Sequence, residues 1–158
     1  MSANIDKKDL QILSILQRQA RISNRDLAEQ IHLSPSSCLG RVKKLEKAGI
    51  LAGYHAQIEM KKVARVVTCL ATVQVDWQSK DGLDEFLSYV AGCDEILECY
   101  TISGDFDFFL KIIAPDMDRY VEITDTLLNA TEAVFKLSSH VIMTTHKSDI
   151  VFPLEKLI

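Results

Sequence analysis

The sequence has little of what marks membrane-bound, secreted or metal-binding proteins. No apolar run approaches the roughly 20 residues of a membrane-spanning helix, and the N-terminal MSANIDKKD lacks the apolar core of a signal peptide. The four cysteines, Cys38, Cys69, Cys93 and Cys99, form no C-x-x-C pair and have no regular spacing. They are predicted to be buried thiols in a reducing compartment. The protein is therefore predicted to be cytoplasmic, with no membrane partner.

The sequence also lacks a recognisable set of catalytic groups. It contains no glycine-rich phosphate loop, and its four histidines are isolated or widely spaced (His32, His55, His140 and His146). Asp105 and Asp107 could suggest a carboxylate pair, but no His, Cys or further acid nearby completes such a site. We predict that the protein is not an enzyme and uses no cofactor. An enzyme built on the second half of the chain is kept as an alternative.

What the sequence does have is an uneven distribution of charge. The net charge over 158 residues is −4. Residues 1–62 contain 11 Lys and Arg against 6 Asp and Glu, whereas residues 63–158 contain 7 against 16. A basic first part and an acidic second part predict two modules, of which only the first meets nucleic-acid phosphate.

The stretch from Leu33 to Gly49, LSPSSCLGRVKKLEKAG, has clear helix boundaries. Ser34 is a typical N-cap, Pro35 suits the first helical position, and Gly49 suits the C-terminal end. Apolar residues at i, i+4 and i+7 predict one buried face (Cys38, Val42 and Leu45). The opposite face carries the hydroxyls and cations that a helix in a DNA groove needs (Ser36, Ser37, Arg41, Lys44 and Lys47). A solvated surface helix is the alternative.

Two further helices are predicted before this one. Asp6 is expected to cap the first, and Ser23 the second, which also carries Asp26 three residues later. A short turn then leads to Ser34, which makes a helix-turn-helix with an extra helix in front. The N-terminus of the second helix is predicted to hold DNA phosphate (Ser23, Asn24 and Arg25). A three-helix bundle that does not bind DNA is the alternative.

The rest of the chain alternates strand and helix signals. Strands are predicted at 66–75, 96–102, 106–113 and 133–144, with helices at 81–90 and from Pro115-Asp116 onward. This β-α-β-β-α-β order predicts a ferredoxin-like fold, and hence an α+β protein. Its strands alternate apolar residues on both faces, so the uncovered sheet face is predicted to bind a second copy. The predicted domains are 1–53 for DNA binding, 54–64 as a connecting strand or linker, and 65–158 as the ferredoxin-like domain, through which the chain is predicted to assemble.

Several stretches in this order resemble the Lrp/AsnC family of leucine-responsive and asparagine-type transcriptional regulators. They are DLQILSILQRQARIS, LSPSSCLGRVKKLEKAGIL, ILECYTISGDFDFFLKI and PDMDRY. The resemblance implies an amino-acid-responsive regulator that binds double-stranded DNA. It also implies a dimer formed through the second module, further assembly into tetramers or octamers, and an amino acid bound where dimers meet. An architectural chromosome protein without an effector response is the alternative.

Three positions depart from the family pattern. His32 stands in the turn where the family usually has glycine, and Gly40 stands on the presumed DNA face where a larger side chain is usual. Residues 131–134 replace the family's proline-glycine turn before the last strand.

The turn after ILECYTIS is the predicted effector site. Backbone amides at Gly104, Asp105 and Phe106 could bind a carboxylate, and Asp107 could accept hydrogen bonds from an ammonium group. The resemblance supports placing a free amino acid here. Without it, these residues would be interpreted as an ordinary hairpin turn.

Overall fold

The computed structural model describes residues 5–148 and 151–157, which divide into two compact units. The described residues up to 57, together with those from 147 onward, form the first unit, and residues 58–146 form the second. Residues 147–158 were predicted to belong to the second domain, but those that the structure describes lie in the first unit.

The first unit contains the predicted three helices: α1 (Lys7–Leu16), α2 (Asn24–Gln30) and α3 (Pro35–Lys47). The side chains of Asp6, Ser23 and Ser34 each accept hydrogen bonds from amides of the first turn, so all three predicted N-caps are present. Apolar side chains of the three helices share one core (Ile12, Leu16, Leu27, Ala28, Ile31, Cys38 and Leu45). Its members on α3 include two of the three residues predicted from helical spacing.

The turn between α2 and α3 requires an unusual backbone conformation. His32 has φ +54°, a left-handed value that histidine tolerates better than most residues other than glycine. Glycine, the residue that the family resemblance implies here, would adopt this conformation without strain. Gly49, which ends α3, also has positive φ, at +68°.

The C-terminal segment is held in the first unit by contacts to α1. The Gln17 side chain donates to the carbonyl of Phe152 (3.3 Å) and accepts from its amide (2.8 Å), as a neighbouring strand would. A short helix, α7 (Leu154–Leu157), follows. The segment, α1 and residues 50–57 surround an apolar cavity of about 600 Å³, whose lining includes Leu13, Leu16 and Phe152. None of the predicted site residues lines this cavity.

The second unit begins with a short helix, α4 (Met60–Val63), and no strand forms within residues 54–64, all of which are described. The ferredoxin-like elements then follow in the predicted order: β1 (Val67–Val75), α5 (Lys80–Gly92), β2 (Ile96–Thr101), β3 (Phe108–Ala114), α6 (Met117–Ala130) and β4 (Val134–Val141). Each pair of neighbouring strands is antiparallel, and the sheet order is β2-β3-β1-β4. The fold prediction is confirmed.

One face of this sheet packs on α5 and α6. Along β1 and β3 every second residue is buried, and these side chains form the core with Phe86, Tyr120, Ile123 and Leu127 of the two helices. The intervening residues face the other way and are only half-buried. As predicted from the sequence, one face of β1 is covered by the two helices and the other face is not covered by them.

The β2–β3 connection is longer than predicted. The tight turn was expected to be Ser103–Asp105, but residues 102–107 lie between the strands. The Asp107 amide donates to Val73 of β1, and the Asp107 carbonyl accepts from Ile102. Asp107 therefore hydrogen-bonds both to β1 and to Ile102, the residue that follows β2.

Thr131 replaces the turn residues that the family pattern has before the last strand. Its hydroxyl donates to the carbonyl of Gly82 (2.6 Å) and accepts from the amide of Ala133 (3.1 Å). A Cβ at Gly82 would lie 2.8 Å from the Ala133 Cβ and 2.9 Å from the Thr131 hydroxyl. The glycine in α5 therefore allows this close approach.

Candidate DNA-binding and effector sites

The outward face of α3 presents short hydroxyls and lysines. Ser36, Ser37, Lys44 and Lys47 are all exposed, as the sequence analysis predicted. Gly40 lies among them, with open space where a Cβ would stand. This face can donate hydrogen bonds to phosphates and base edges along its length.

Arg41 differs from the other residues predicted to face the groove, because its side chain forms ion pairs within the protein. Its guanidinium Nη1 lies 2.7 Å from Asp6 Oδ2 and 2.8 Å from Asp9 Oδ1, so it links α3 to the first turn of α1. The Asp9 side chain is only 3% exposed, and a buried carboxylate needs such a partner. Arg41 comes three residues after Cys38 and four before Leu45, so it borders the buried face of α3. Its side chain can therefore reach α1. The sequence grouped Arg41 with the groove-facing cations, whereas its guanidinium forms ion pairs with the start of α1 and its side chain is 31% exposed.

The ion pair also affects the acidity of the helix cap. The pKa of Asp6 is lowered, first by the hydrogen bond from the Asp9 amide and then by the Arg41 guanidinium. Both interactions favour the ionised carboxylate.

Two of the three residues predicted to bind phosphate at α2 form side-chain hydrogen bonds within the protein. The Ser23 hydroxyl caps the helix and donates to Asp26 Oδ2 (2.7 Å), and Asn24 Nδ2 donates to the Pro35 carbonyl (2.8 Å). Arg25 is exposed and has no carboxylate partner among the described residues. Of the three predicted residues, Arg25 therefore keeps a side chain available for phosphate.

The structure brings the predicted effector residues together at one end of β1 and β3. Gly104 has φ +118°, and the amides of residues 104–106 have no protein acceptor within the described part of the chain. Asp107 Oδ2 accepts from the Val75 amide (2.9 Å), and Oδ1 accepts from Trp77 Nε1 (2.7 Å). Each carboxylate oxygen can accept a further hydrogen bond. The loop therefore presents donors beside a carboxylate.

Comparison with known proteins decides the family. A model of the Lrp/AsnC ligand binding domain matches residues 68–152, and a model of winged helix-turn-helix DNA-binding domains matches residues 5–52. The chain belongs to the Lrp/AsnC family of transcriptional regulators.

Relatives of this Lrp/AsnC protein match along most of its length. It is 33% identical over 157 residues to the transcriptional regulator AzlB of Bacillus subtilis (strain 168), covering 99% of this chain and 100% of the relative. It is 35% identical over 139 residues to the leucine-responsive regulatory protein of Haemophilus influenzae, covering 88% and 84%. A Neisseria meningitidis transcriptional regulator, solved as an L-Met complex, has a TM-score of 0.90 at 30% identity, covering 98% of this chain and 100% of that one.

Two residues of this Lrp/AsnC protein were missed by the sequence analysis. Lys43 is exposed on α3, and its spacing of seven from Ser36 and four from Lys47 was the signal that places it on the same face. Trp77 follows β1 directly and contacts Asp107, which precedes β3. The signal for Trp77 was the antiparallel pairing of β1 with β3, which brings the end of one strand to the start of the other.

No metal site or membrane span is found in the described residues. Nowhere in 5–148 or 151–157 do three or more His, Cys, Asp or Glu side chains cluster as metal ligands would. Within the same ranges no helix has the length and apolar character needed to cross a bilayer.

Replacing Arg41 by alanine should loosen the first unit. The buried Asp9 carboxylate would lose its charged donor, at an expected cost of about 1–3 kcal/mol. Hydrogen exchange in peptides from α1 and α3, measured on the whole protein, should speed up accordingly. Lys44→Ala is the matched control on the exposed face, where a change within about 0.5 kcal/mol is expected. Equal exchange in the two variants would show that the Arg41 link contributes nothing.

Proposed function

We propose that this regulator is a cytoplasmic, non-enzymatic homo-oligomer that binds double-stranded DNA through α3 and responds to a free amino acid at residues 104–107. The observation that carries the proposal is the pairing of two surfaces in one family member. One is an outward helix face of hydroxyls and lysines, and the other is a loop whose amides find no acceptor among residues 5–148 and 151–157 and lie beside a carboxylate. The first suits phosphate, and the second suits the two charged ends of an amino acid.

The proposed DNA contacts follow exposure and hydrogen bonding. Side chains that are exposed on α3 or at the start of α2 are assigned to DNA (Arg25, Ser36, Ser37, Lys43, Lys44 and Lys47). Ser23, Asn24 and Arg41 are assigned to support, because their side chains hold α2 and α3 in place.

Removing one lysine from α3 should reduce the salt dependence of DNA binding. Each phosphate contact contributes about −0.9 to the slope of log K against log salt concentration. Lys44→Ala should therefore make the slope shallower by about one unit in fluorescence anisotropy titrations. Lys80→Ala is the control, since Lys80 is exposed in the second unit and has no ion pair within the described residues. An unchanged slope for Lys44→Ala would remove this lysine from the DNA contact.

The amino-acid response is supported by the loop and by what related proteins bind. Relatives include leucine-responsive regulators, and one similar structure is a complex with L-Met. In this chain, we propose that the ligand carboxylate binds amides 104–106 and the ammonium binds Asp107. Lys136 Nζ lies 5.6 Å from the centre of the Phe106 ring and adds positive charge beside the proposed carboxylate position.

An amino acid that binds here should raise the melting temperature, because it binds the folded state only. A thermal-shift screen of the twenty standard L-amino acids should identify it. Its N-acetyl and C-amide derivatives should each bind at least tenfold more weakly, because each loses one charged contact worth about 1.5–3 kcal/mol. Varying the ligand leaves the protein intact, whereas Asp107→Asn would place an amide donor against Val75 or Trp77. If no amino acid shifts the transition, an architectural role without an effector is favoured.

Self-assembly is proposed to use the sheet face opposite to the one that packs on α5 and α6. Its half-buried residues on β1 and β3 are mostly apolar or β-branched (Leu70, Thr72, Phe109 and Ile113), together with Gln74 and with Lys111, which is ion-paired to Glu98. Tyr100 on β2 is 52% exposed beside Phe109. A second copy would remove this face from water, the usual reason for such a surface. Dimers, and tetramers or octamers built from them, are the proposed assemblies.

Placing a charge on that face should weaken assembly. Tyr100→Lys is chosen because Tyr100 is exposed, so that the isolated fold loses little. The parent protein is expected to be a dimer or larger by light scattering, and the variant is expected to shift toward monomer. Lys80→Glu, in α5, should leave the mass unchanged. A parent protein that is monomeric would refute this interface.

A further inference from the structure

Trp77 is an exposed aromatic residue with an ordered position. It follows β1 and is 51% exposed, although large aromatic side chains are usually well buried. Its Nε1 donates to Asp107 Oδ1 (2.7 Å), and its ring stacks on Phe108, with centres 5.7 Å apart and planes at 23°. One side of the ring is thus fixed by the protein while half of the residue remains open to solvent.

The ring lies beside the proposed effector loop. Asp107, which holds the indole, is the residue assigned to the ligand ammonium, and residues 104–106 immediately precede it. Phe106 is half-buried in the same loop. Amides that have no acceptor in the described part of the chain, a carboxylate and an aromatic surface therefore meet at the end of β1 and β3. A binding site for an amphiphilic small molecule combines these same groups.

We propose that the exposed face of Trp77 contacts the side chain of the bound amino acid and makes the site prefer large apolar side chains. This rests on the proposed amino-acid response and adds a residue that determines specificity. An indole already held by a hydrogen bond and a stack loses little further freedom when a ligand packs on it. Aliphatic and thioether side chains both pack well on an aromatic ring, whereas glycine would leave it uncovered.

The alternative is that Trp77 only covers the edge of the core. In that case its contact with Phe108 would matter for stability, and its exposed face would have no ligand. The two roles differ in their effect on ligand preference, because a purely structural residue changes the binding of all amino acids alike.

Intrinsic fluorescence tests the contact directly. The chain has one tryptophan, so all indole emission comes from Trp77. Titration with L-methionine or L-leucine should change the emission, with a midpoint equal to the Kd from calorimetry on the same sample. Glycine should bind at least tenfold more weakly. Calorimetric binding without an emission change would overturn the role of Trp77 while leaving the amino-acid response standing. Absence of calorimetric binding for all twenty amino acids would overturn both.

Variants separate specificity from stability. Trp77→Phe keeps a ring on Phe108 but shortens the exposed surface and removes the indole donor, and Trp77→Ala removes the surface altogether. Affinity for methionine should fall about tenfold or more in Trp77→Ala and less in Trp77→Phe, while glycine affinity changes little. The methionine-to-glycine ratio of Kd is therefore the readout. Tyr54→Phe is the control, since it alters another exposed aromatic residue, in the first unit, and should leave the ratio unchanged. A constant ratio in both Trp77 variants would overturn the proposal.

Discussion

The hydrogen bonds of the Asp107 carboxylate hold together the end of the sheet where β1 finishes and β3 begins. One oxygen accepts from the backbone of β1 and the other from Trp77, and the Asp107 amide donates to Val73. These bonds join the start of β3 to the end of β1 and determine the path of residues 102–107. The loop that presents unpaired amides is thus shaped by the same side chain that lies beside them. The Asp107 carboxylate therefore has two roles: it holds the loop in place, and it is proposed to bind the ligand ammonium.

The first unit shows a similar use of charge. Asp9 is buried, and its interaction with Arg41 fixes α3 on α1. Arg41, which the helical pattern places near the DNA face, therefore forms ion pairs within the first unit. The side chains of Lys43, Lys44 and Lys47 are exposed to solvent. The family comparison confirms the type of module, and the internal hydrogen bonds distinguish which of its polar residues are available for DNA.

Local signals explain what could be predicted from the sequence. Ser34 and Pro35 act within one helical turn, and the alternation along β1 depends only on the residues of that strand. The first residues of the helices and the fold could therefore be predicted from such local signals. The contact from Arg41 to Asp9 spans 32 residues, and that from Gln17 to Phe152 spans 135. Helical and strand periodicity carry no information on such distant pairs. The Arg41 orientation and the place of the C-terminal segment therefore required the structure.

The return of the C-terminal segment makes the first unit discontinuous along the chain. Residues 58–146 are in effect a domain inserted between two pieces of the DNA-binding unit. Cutting the chain after residue 57 would remove Phe152 from Gln17 and one wall of the cavity beside Leu13 and Leu16. An isolated helix-turn-helix fragment would therefore expose apolar surface that the whole chain covers. Described residues on both sides of the inserted unit therefore contribute to the stability of the helix-turn-helix unit.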